Sequence, residues 1–135
     1  MNFISRDTDY AVRALIYMAR QPKAEVVTVD DIVKKERLPE RFLRRILQKL
    51  ARKGFLASNK GKGGGFSLVR SPGGIRLTDL METFQGKMNL TNCLLKGRIC
   101  PNVMRGCLLR KKLRAIGKEL DNKLNKITIA SLMKG

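Results

Sequence analysis

Three cysteines lie close together in this chain, and it contains no others. Cys93, Cys100 and Cys107 are separated by six residues each, and the sequence has no histidine. Three thiolates within fifteen residues can hold an iron–sulfur cluster or, with a fourth ligand, zinc. Zinc motifs usually pair cysteines about two to four residues apart, unlike these. The remaining interpretation is three buried thiols without a ligand, since free cysteine is often buried.

The composition points to a polyanionic partner. The 135 residues carry 29 Lys or Arg against 11 Asp or Glu, a net charge of +18, which attracts nucleic acid first and a membrane surface second. No apolar run reaches the roughly 18 residues of a transmembrane helix, and acids precede the first apolar stretch, unlike a signal peptide. We therefore expect a cytoplasmic protein without membrane partners, whose odd number of cysteines argues against disulfides.

The first half of the chain is predicted to form three helices. Residues 7–20 are apolar around most of the helix, and Thr28 caps a second helix that ends near residue 35. Pro39 is predicted at the first position of a third helix, and Gly54 ends it. One face of this third helix is apolar, with Phe42, Leu43, Ile46, Leu47 and Leu50. The other face is basic, with Arg41, Arg44, Arg45, Gln48, Lys49 and Arg52.

A hairpin is predicted after the basic helix. Two short strands, residues 55–60 and 66–70, are joined by GKGGG. Residues 75–77 are a candidate third strand, and Thr78 is expected to cap a fourth helix reaching about Phe84. The fold class is therefore mainly α with a small β-hairpin wing: a winged helix-turn-helix domain at residues 1–86.

This order of elements suits DNA. Residues 34–62 hold eleven Lys or Arg and two Glu, a net charge of +9. Arginines near the N-terminus of the third helix are placed to meet base edges in a major groove, and the glycine-rich hairpin is slim enough for a minor groove. The residues we predict to bind DNA are Thr28, Pro39, Arg41, Arg44, Arg45, Lys49, Lys60, Gly61 and Lys62.

The cysteines fall in a segment without periodicity, residues 87–107, which we predict to be a loop. A long amphipathic helix follows at about 107–127, with a possible extension through Ser131, Leu132 and Met133, inside a third region, residues 108–135. Its apolar stripe repeats every three or four residues, as in a coiled-coil seam. A helix of about 25 residues exceeds the width of a small domain, so we predict dimerisation through Leu109, Leu113, Ile116, Leu120, Leu124 and Ile127.

These motifs together resemble a known family. The stretch LPERFLRRILQKLARKGFLASNKGKGGGFSLVRSPGGIRLTDLMETFQG, preceded by TDYAVRALIYMA and followed by the cysteines, closely resembles the bacterial regulators that include IscR, NsrR and RirA. The resemblance covers essentially the whole chain. It implies a homodimeric transcription factor, mostly of the repressor type, with an iron–sulfur cluster beside a long dimerisation helix.

The resemblance also assigns roles to residues. Pro39, Arg41 and Arg44 stand where relatives read the major groove, although some relatives have glutamate at position 44. Lys60, Gly61 and Lys62 stand where the wing enters the minor groove. The three cysteines match the cluster ligands, but their spacing is one residue wider than in several relatives, and a histidine that the IscR branch has after the third cysteine is Arg110 here.

The fourth ligand is implied by the NsrR branch. The T-D-x-A-x-R context of its first helix matches Thr8 to Arg13, which puts Asp9 where that branch has an aspartate that reaches the partner's cluster. The implied site is Cys93, Cys100 and Cys107 with the partner's copy of Asp9 around a [4Fe–4S] cluster, and [2Fe–2S] stays open.

We therefore predict a DNA-binding regulator, not an enzyme, whose operator affinity is switched by a cluster that senses NO, O₂, redox state or iron–sulfur supply. No nucleophile–base pair or phosphate loop is apparent in the sequence. Two alternatives remain open. The first is a regulator of the same fold that senses through thiols or zinc, and the second is a basic RNA-binding protein.

Overall fold

Six α-helices and one antiparallel hairpin form the part of the chain that the computed structural model describes, residues 3–22, 25–88, 90 and 106–134. In chain order they are α1 (Arg6–Ala19), α2 (Val29–Glu36), α3 (Glu40–Arg52), β1 (Leu56–Asn59), β2 (Gly65–Leu68), α4 (Leu77–Gln85), α5 (Leu108–Asn125) and α6 (Ile129–Leu132). A single 3₁₀ turn, Pro72–Gly74, precedes α4.

Side-chain caps fix the starts of the first two helices. The Ser5 hydroxyl accepts from the Thr8 amide at 3.2 Å. The predicted cap at Thr28 is confirmed as a full capping box: its hydroxyl accepts from the Asp31 amide, and the Asp31 carboxylate accepts from the Thr28 amide, each at 3.1 Å. Such reciprocal bonds satisfy two of the amides that a helix start leaves without partners.

The third helix is confirmed, but two details of its prediction were wrong. Pro39 precedes α3 as its cap residue, with extended backbone (ψ 124°), and Glu40 takes the first helical position. Phe42 lies outside the core and is 36% exposed, because it sits at the edge of the apolar face beneath the guanidinium of Arg45, 5.1 Å from the ring centroid. The other predicted apolar residues are buried: Leu43, Ile46, Leu47 and Leu50.

The hairpin is confirmed and is tied to the segment before α2. β1 and β2 pair from Leu56 opposite Leu68 to Asn59 opposite Gly65. Val27 and Phe66 exchange two backbone hydrogen bonds of 2.8 Å. This contact needs glycine next to Phe66, because a Cβ on Gly65 would lie 2.3 Å from the Val27 carbonyl oxygen. Backbone hydrogen bonds at the base of the hairpin therefore hold the wing to the segment that precedes α2.

The region after the hairpin differs from the prediction. Residues 75–77 form no strand: Arg76 makes one isolated bridge to Thr128, and α4 already begins at Leu77. Thr78 is not the cap of α4, since Arg76 occupies that position. The Thr78 hydroxyl instead donates to the side-chain oxygen of Asn125. A contact with the end of the chain, distant in sequence, thus replaces the local cap.

The long C-terminal helix is shorter than predicted. α5 has 18 residues and ends at Asn125, and Thr128 then caps the separate helix α6. The Leu77 amide donates to the Ile127 carbonyl at 2.8 Å, and the Ile129 amide donates to the Ile75 carbonyl at 3.0 Å. Ile129 is 1% exposed. The chain turns at residues 126–128 because burying Ile129 against α1 and the 3₁₀ turn is favourable.

Candidate nucleic-acid interface

The exposed face of α3 carries three arginines in three different environments. Arg44 forms an ion pair with Glu40, one turn earlier, at 2.9 Å. Arg45 reaches across to Asp7 of α1 at 3.4 Å and stacks over Phe42. Arg41 forms no ion pair with any acid in the described part of the chain. All three guanidinium groups lie on the N-terminal half of the helix, where base-reading side chains stand in helix-turn-helix proteins.

A groove of about 400 Å³ lies between α2, α3 and the hairpin. Thr28 lines it at the start of α2, Arg44 and Gln48 line it from α3, and Gly61 lines it from the wing. The structure thus brings together predicted residues from all three elements on one open surface. Glu40 and Asp30 also line the groove, so its walls are not uniformly positive.

The wing extends the positive surface beyond this groove. Lys60 and Lys62 are exposed at the tip of the hairpin. Gly61 and Gly63 adopt positive φ angles of 91° and 80°, which side chains rarely tolerate. Gly64 passes so close to the backbone of Asn59 that a Cβ would lie 2.3 Å from its carbonyl oxygen. The glycines therefore make the tip narrow, and the lysines make it positive.

Six of the nine predicted DNA-binding residues do not line the groove: Arg41, Arg45, Lys60, Lys62, Lys49 and Pro39. Lys49 is half-buried on the side of α3 that faces α4, with its ammonium 5.3 Å from the centroid of the Phe84 ring. Pro39 is exposed just before α3. Neither lines the groove.

Sequence reasoning missed the two acids that pair with arginines of α3. The four-residue spacing of Glu40 and Arg44 is a recognised signal for a helical ion pair, and it could have been used. Asp7 and Arg45 are 38 residues apart, and no local pattern connects them. Only the packing of α1 against α3 brings these two side chains together.

Two of the four predicted cluster ligands lie among the described residues. Cys107 stands at the cap position of α5, half-buried, with a free thiol. Asp9 lies in the first turn of α1, and its carboxylate pairs with Arg13 at 3.1 Å while 46% of the side chain stays exposed. Cys93 and Cys100 lie outside the described residues. A thiolate and a carboxylate are both donors that iron accepts, so the donor chemistry fits a cluster.

The described residues do not contain a complete metal site. No three His, Cys, Asp or Glu side chains in the described ranges come together as metal ligands would.

The side chains of the predicted dimer seam on α5 are exposed or only half-buried. Leu109 is 67% exposed and Ile116 is 48% exposed. Leu113 and Leu124 turn toward α4 and line a larger groove of about 550 Å³ between the two helices. The remaining seam residues, Leu120 and Ile127, are half-buried. None of the helices described here is long and apolar enough to cross a membrane.

The profile of a protein family described as "Rrf2: Iron-dependent Transcriptional regulator" matches residues 4–135. The chain belongs to the Rrf2 family. This confirms the predicted relationship to the IscR-type regulators and the prediction that the chain is a transcriptional regulator and not an enzyme. A protein of Aquifex aeolicus (strain VF5) named "Putative HTH-type transcriptional regulator" is 30% identical over 125 residues, which are 92% of this chain and 86% of that protein.

Two solved structures share the fold. CymR of B. subtilis, titled the global cysteine regulator, superposes with a TM-score of 0.77 at 21% identity, covering 99% of this chain and 98% of that one. IscR of T. potens superposes with a TM-score of 0.74 at 21% identity, covering 98% and 87%. These likenesses confirm the mainly helical winged helix-turn-helix fold of the Rrf2 chain.

Proposed function

We propose that this Rrf2 protein is a homodimeric repressor that binds an operator in duplex DNA through α3 and the wing. The observation that carries the proposal is the groove in which Thr28, Arg44 and the wing residue Gly61 share one surface. Arg41 stands beside it, exposed and without an ion-pair partner among the described acids. A guanidinium in that position can donate two bonds to guanine O6 and N7.

Operator binding is tested with Arg41→Ala. Sites are selected from a random duplex pool with the wild type, and affinities are then compared at fixed salt. We expect a loss of about 1–3 kcal/mol on the selected site and relaxed preference at one base pair. Arg20→Ala, on an exposed residue at the end of α1, is the matched control. An equal loss on random DNA would make Arg41 a phosphate contact, and tight binding to any RNA without preference among duplexes would refute the proposal.

We further propose that the sensor is an iron–sulfur cluster held by Cys93, Cys100 and Cys107 of one protomer and Asp9 of the other. When bound, such a cluster would supply iron that NO or O₂ can attack. Its occupancy would also fall when iron is scarce. This chain's residues supply the connection: Cys107 begins α5, and Asp9 lies in α1, which packs against α3. A change in how these residues are held would alter the angle between two DNA-binding domains, a shift between two dimer geometries.

The cluster proposal is tested by the iron and sulfide content and the visible absorption of anaerobically purified protein. We expect iron and sulfide in the wild type, close to four of each per chain for [4Fe–4S], and a more labile spectrum in Asp9→Ala. Asp30→Ala, an exposed acid in the first turn of α2, is the control. An unchanged spectrum in Asp9→Ala would remove that residue from the ligand set.

Sensing by thiols or zinc is the second candidate. It is supported by the free, half-buried thiol of Cys107 and by the similarity in fold to a protein titled as a cysteine regulator. A wild-type protein that stays colourless and free of iron and sulfide after reconstitution would favour this candidate. Operator affinity that changes with thiol oxidation or with zinc would then identify the signal.

A further inference from the structure

We propose that Glu40 determines which base pair the groove accepts, by fixing the guanidinium of Arg44 and by accepting a hydrogen bond from a neighbouring cytosine. The inference rests on the proposed binding of duplex DNA. Glu40 is negatively charged, as phosphate is, yet it lies inside the surface that would approach DNA.

The position of Glu40 makes it available to bases. It is the first residue of α3, at the end of the helix that enters a major groove first. Its side chain is 55% exposed and that of Arg44 is 54% exposed, so neither is buried by the contact between them. Both line the groove toward the wing, and both also line a second hollow together with Arg41 and Arg45.

The ion pair limits what Arg44 can do. One nitrogen, Nη2, lies 2.9 Å from the carboxylate oxygen Oε1 of Glu40. A guanidinium carries five donors in a flat fork, so the nitrogens that Glu40 does not use stay available to guanine O6 and N7. Holding the fork at one edge reduces the orientations that the other edge can take. Arg44 is therefore restrained toward one base position, whereas Arg41 forms no such pair.

The carboxylate itself discriminates between bases. Cytosine presents its N4 amine in the major groove, and a glutamate is suited to accept from it. Thymine, guanine and phosphate oxygens at the same place present acceptors, which repel a carboxylate. Glu40 therefore opposes guanine, thymine and phosphate at that place. It favours cytosine over adenine, because the N6 amine of adenine lies beside the N7 acceptor and the N4 amine of cytosine has no such neighbour.

A purely structural role for Glu40 predicts something else. An acid in the first turn stabilises a helix through the helix dipole, and its pair with Arg44 stabilises it slightly further. In that case Glu40→Gln would weaken the fold a little and leave the preferred DNA sequence unchanged. The two roles are therefore separated by sequence preference and not by affinity alone.

The experiment compares Glu40→Gln with the wild type by selecting sites from a random duplex pool and measuring affinity for the wild-type site and for random DNA at fixed salt. We expect Glu40→Gln to bind random DNA several-fold more tightly, because a negative charge leaves the groove. We expect its ratio of specific to random affinity to fall about tenfold, with the cytosine position relaxed. Glu82→Gln, an exposed glutamate of α4 on another face, should behave as the wild type.

Further variants test the link to Arg44. Arg44→Ala should weaken the preference for guanine at the position that Arg44 contacts. The double variant with Glu40→Gln and Arg44→Ala should lose no more of that preference than Arg44→Ala alone. Melting temperatures of all variants check that they are folded. The same selected sequence for wild type and Glu40→Gln would overturn the inference while leaving operator binding intact. A wild type that selects no sequence would overturn both proposals.

Discussion

The first region, residues 3–22 and 25–86, and helix α5 both contain leucine and isoleucine but bury them differently. In the first region, α1 to α4 and the hairpin enclose Leu15, Ile32, Leu43, Ile46 and Leu80, none more than 1% exposed. In α5 no residue is buried, and Leu108 and Leu109 are each 67% exposed. Both regions show helical periodicity in sequence. The comparison shows that periodicity predicts which face of a helix is apolar, but not what covers that face.

Helix α6 belongs with the first region although it follows α5 in the chain. Its residue Ile129 joins the main core, so the end of α5 is tied to the first region through α6. The first region covers part of the seam, whereas Leu109 and Ile116 stay exposed. A second copy of the chain would cover such a seam, as the proposed dimer requires.

The largest difference between the two regions is expected in the free energy of unfolding, when one isoleucine in each is replaced by alanine. Ile46→Ala removes a 1% exposed side chain and should lower the free energy of unfolding by about 2–5 kcal/mol. Ile116→Ala makes the same change where the side chain is 48% exposed, and in the monomer it should cost far less. Chemical denaturation at protein concentrations low enough to keep the chain monomeric provides the comparison. Equal losses there would mean that α5 has a core of its own.

The next effect concerns the seam directly. Ile116→Asp places a carboxylate in the middle of the exposed apolar face and, in a symmetric dimer, introduces two of them. We expect the dissociation constant of the dimer to rise by about 100-fold, equivalent to roughly 2.7 kcal/mol, with operator affinity falling in parallel. Sedimentation equilibrium measures it. Asn122→Asp introduces the same group at an exposed position on another side of α5 and should leave the dimer intact; dissociation by both would argue against a specific seam.

A smaller effect is expected where the two ends of the first region meet. The side-chain oxygen of Gln85 accepts from the Ser5 amide and from the buried Thr8 hydroxyl, each at 2.9 Å, and its nitrogen donates to the Phe3 carbonyl at 3.0 Å. Gln85→Ala should therefore lower the free energy of unfolding by about 1–3 kcal/mol and speed hydrogen exchange at the start of α1. Gln21→Ala removes a glutamine with one local bond, to Tyr17, and a loss as large in that variant would contradict the prediction.

Local signals in the sequence predicted much of this architecture. The capping box at Thr28, the apolar face of α3 and the turn at Gly54 depend on residues within about one helical turn of each other. All were confirmed except for Phe42 at the edge of the apolar face. The errors at Thr78 and at the end of α5 arose because contacts distant in sequence replaced local ones. Within the candidate site, composition and glycine spacing indicated the basic helix and the wing, whereas the pairing of Asp7 with Arg45 depends on tertiary packing alone.

The smallest effect should appear in the pH dependence of the first region. Burial raises the pKa of Tyr17, and the negative charges of Asp31, Glu25 and Glu36 raise it further. The folded chain therefore holds this proton more tightly than the unfolded chain, whose tyrosines titrate near pH 10. The contribution to stability is fully present below about pH 10 and is lost as the pH rises through the folded pKa. The acids that act on Tyr17 belong to α2 and the segment before it, so this titration reports on the first region and not on the basic helix α5.

Tyr17→Phe should make the free energy of unfolding fall less steeply above pH 10 than in the wild type, measured by urea denaturation at several pH values. Identical slopes for Tyr17→Phe and the wild type would show that this tyrosine titrates alike in the folded and unfolded chains.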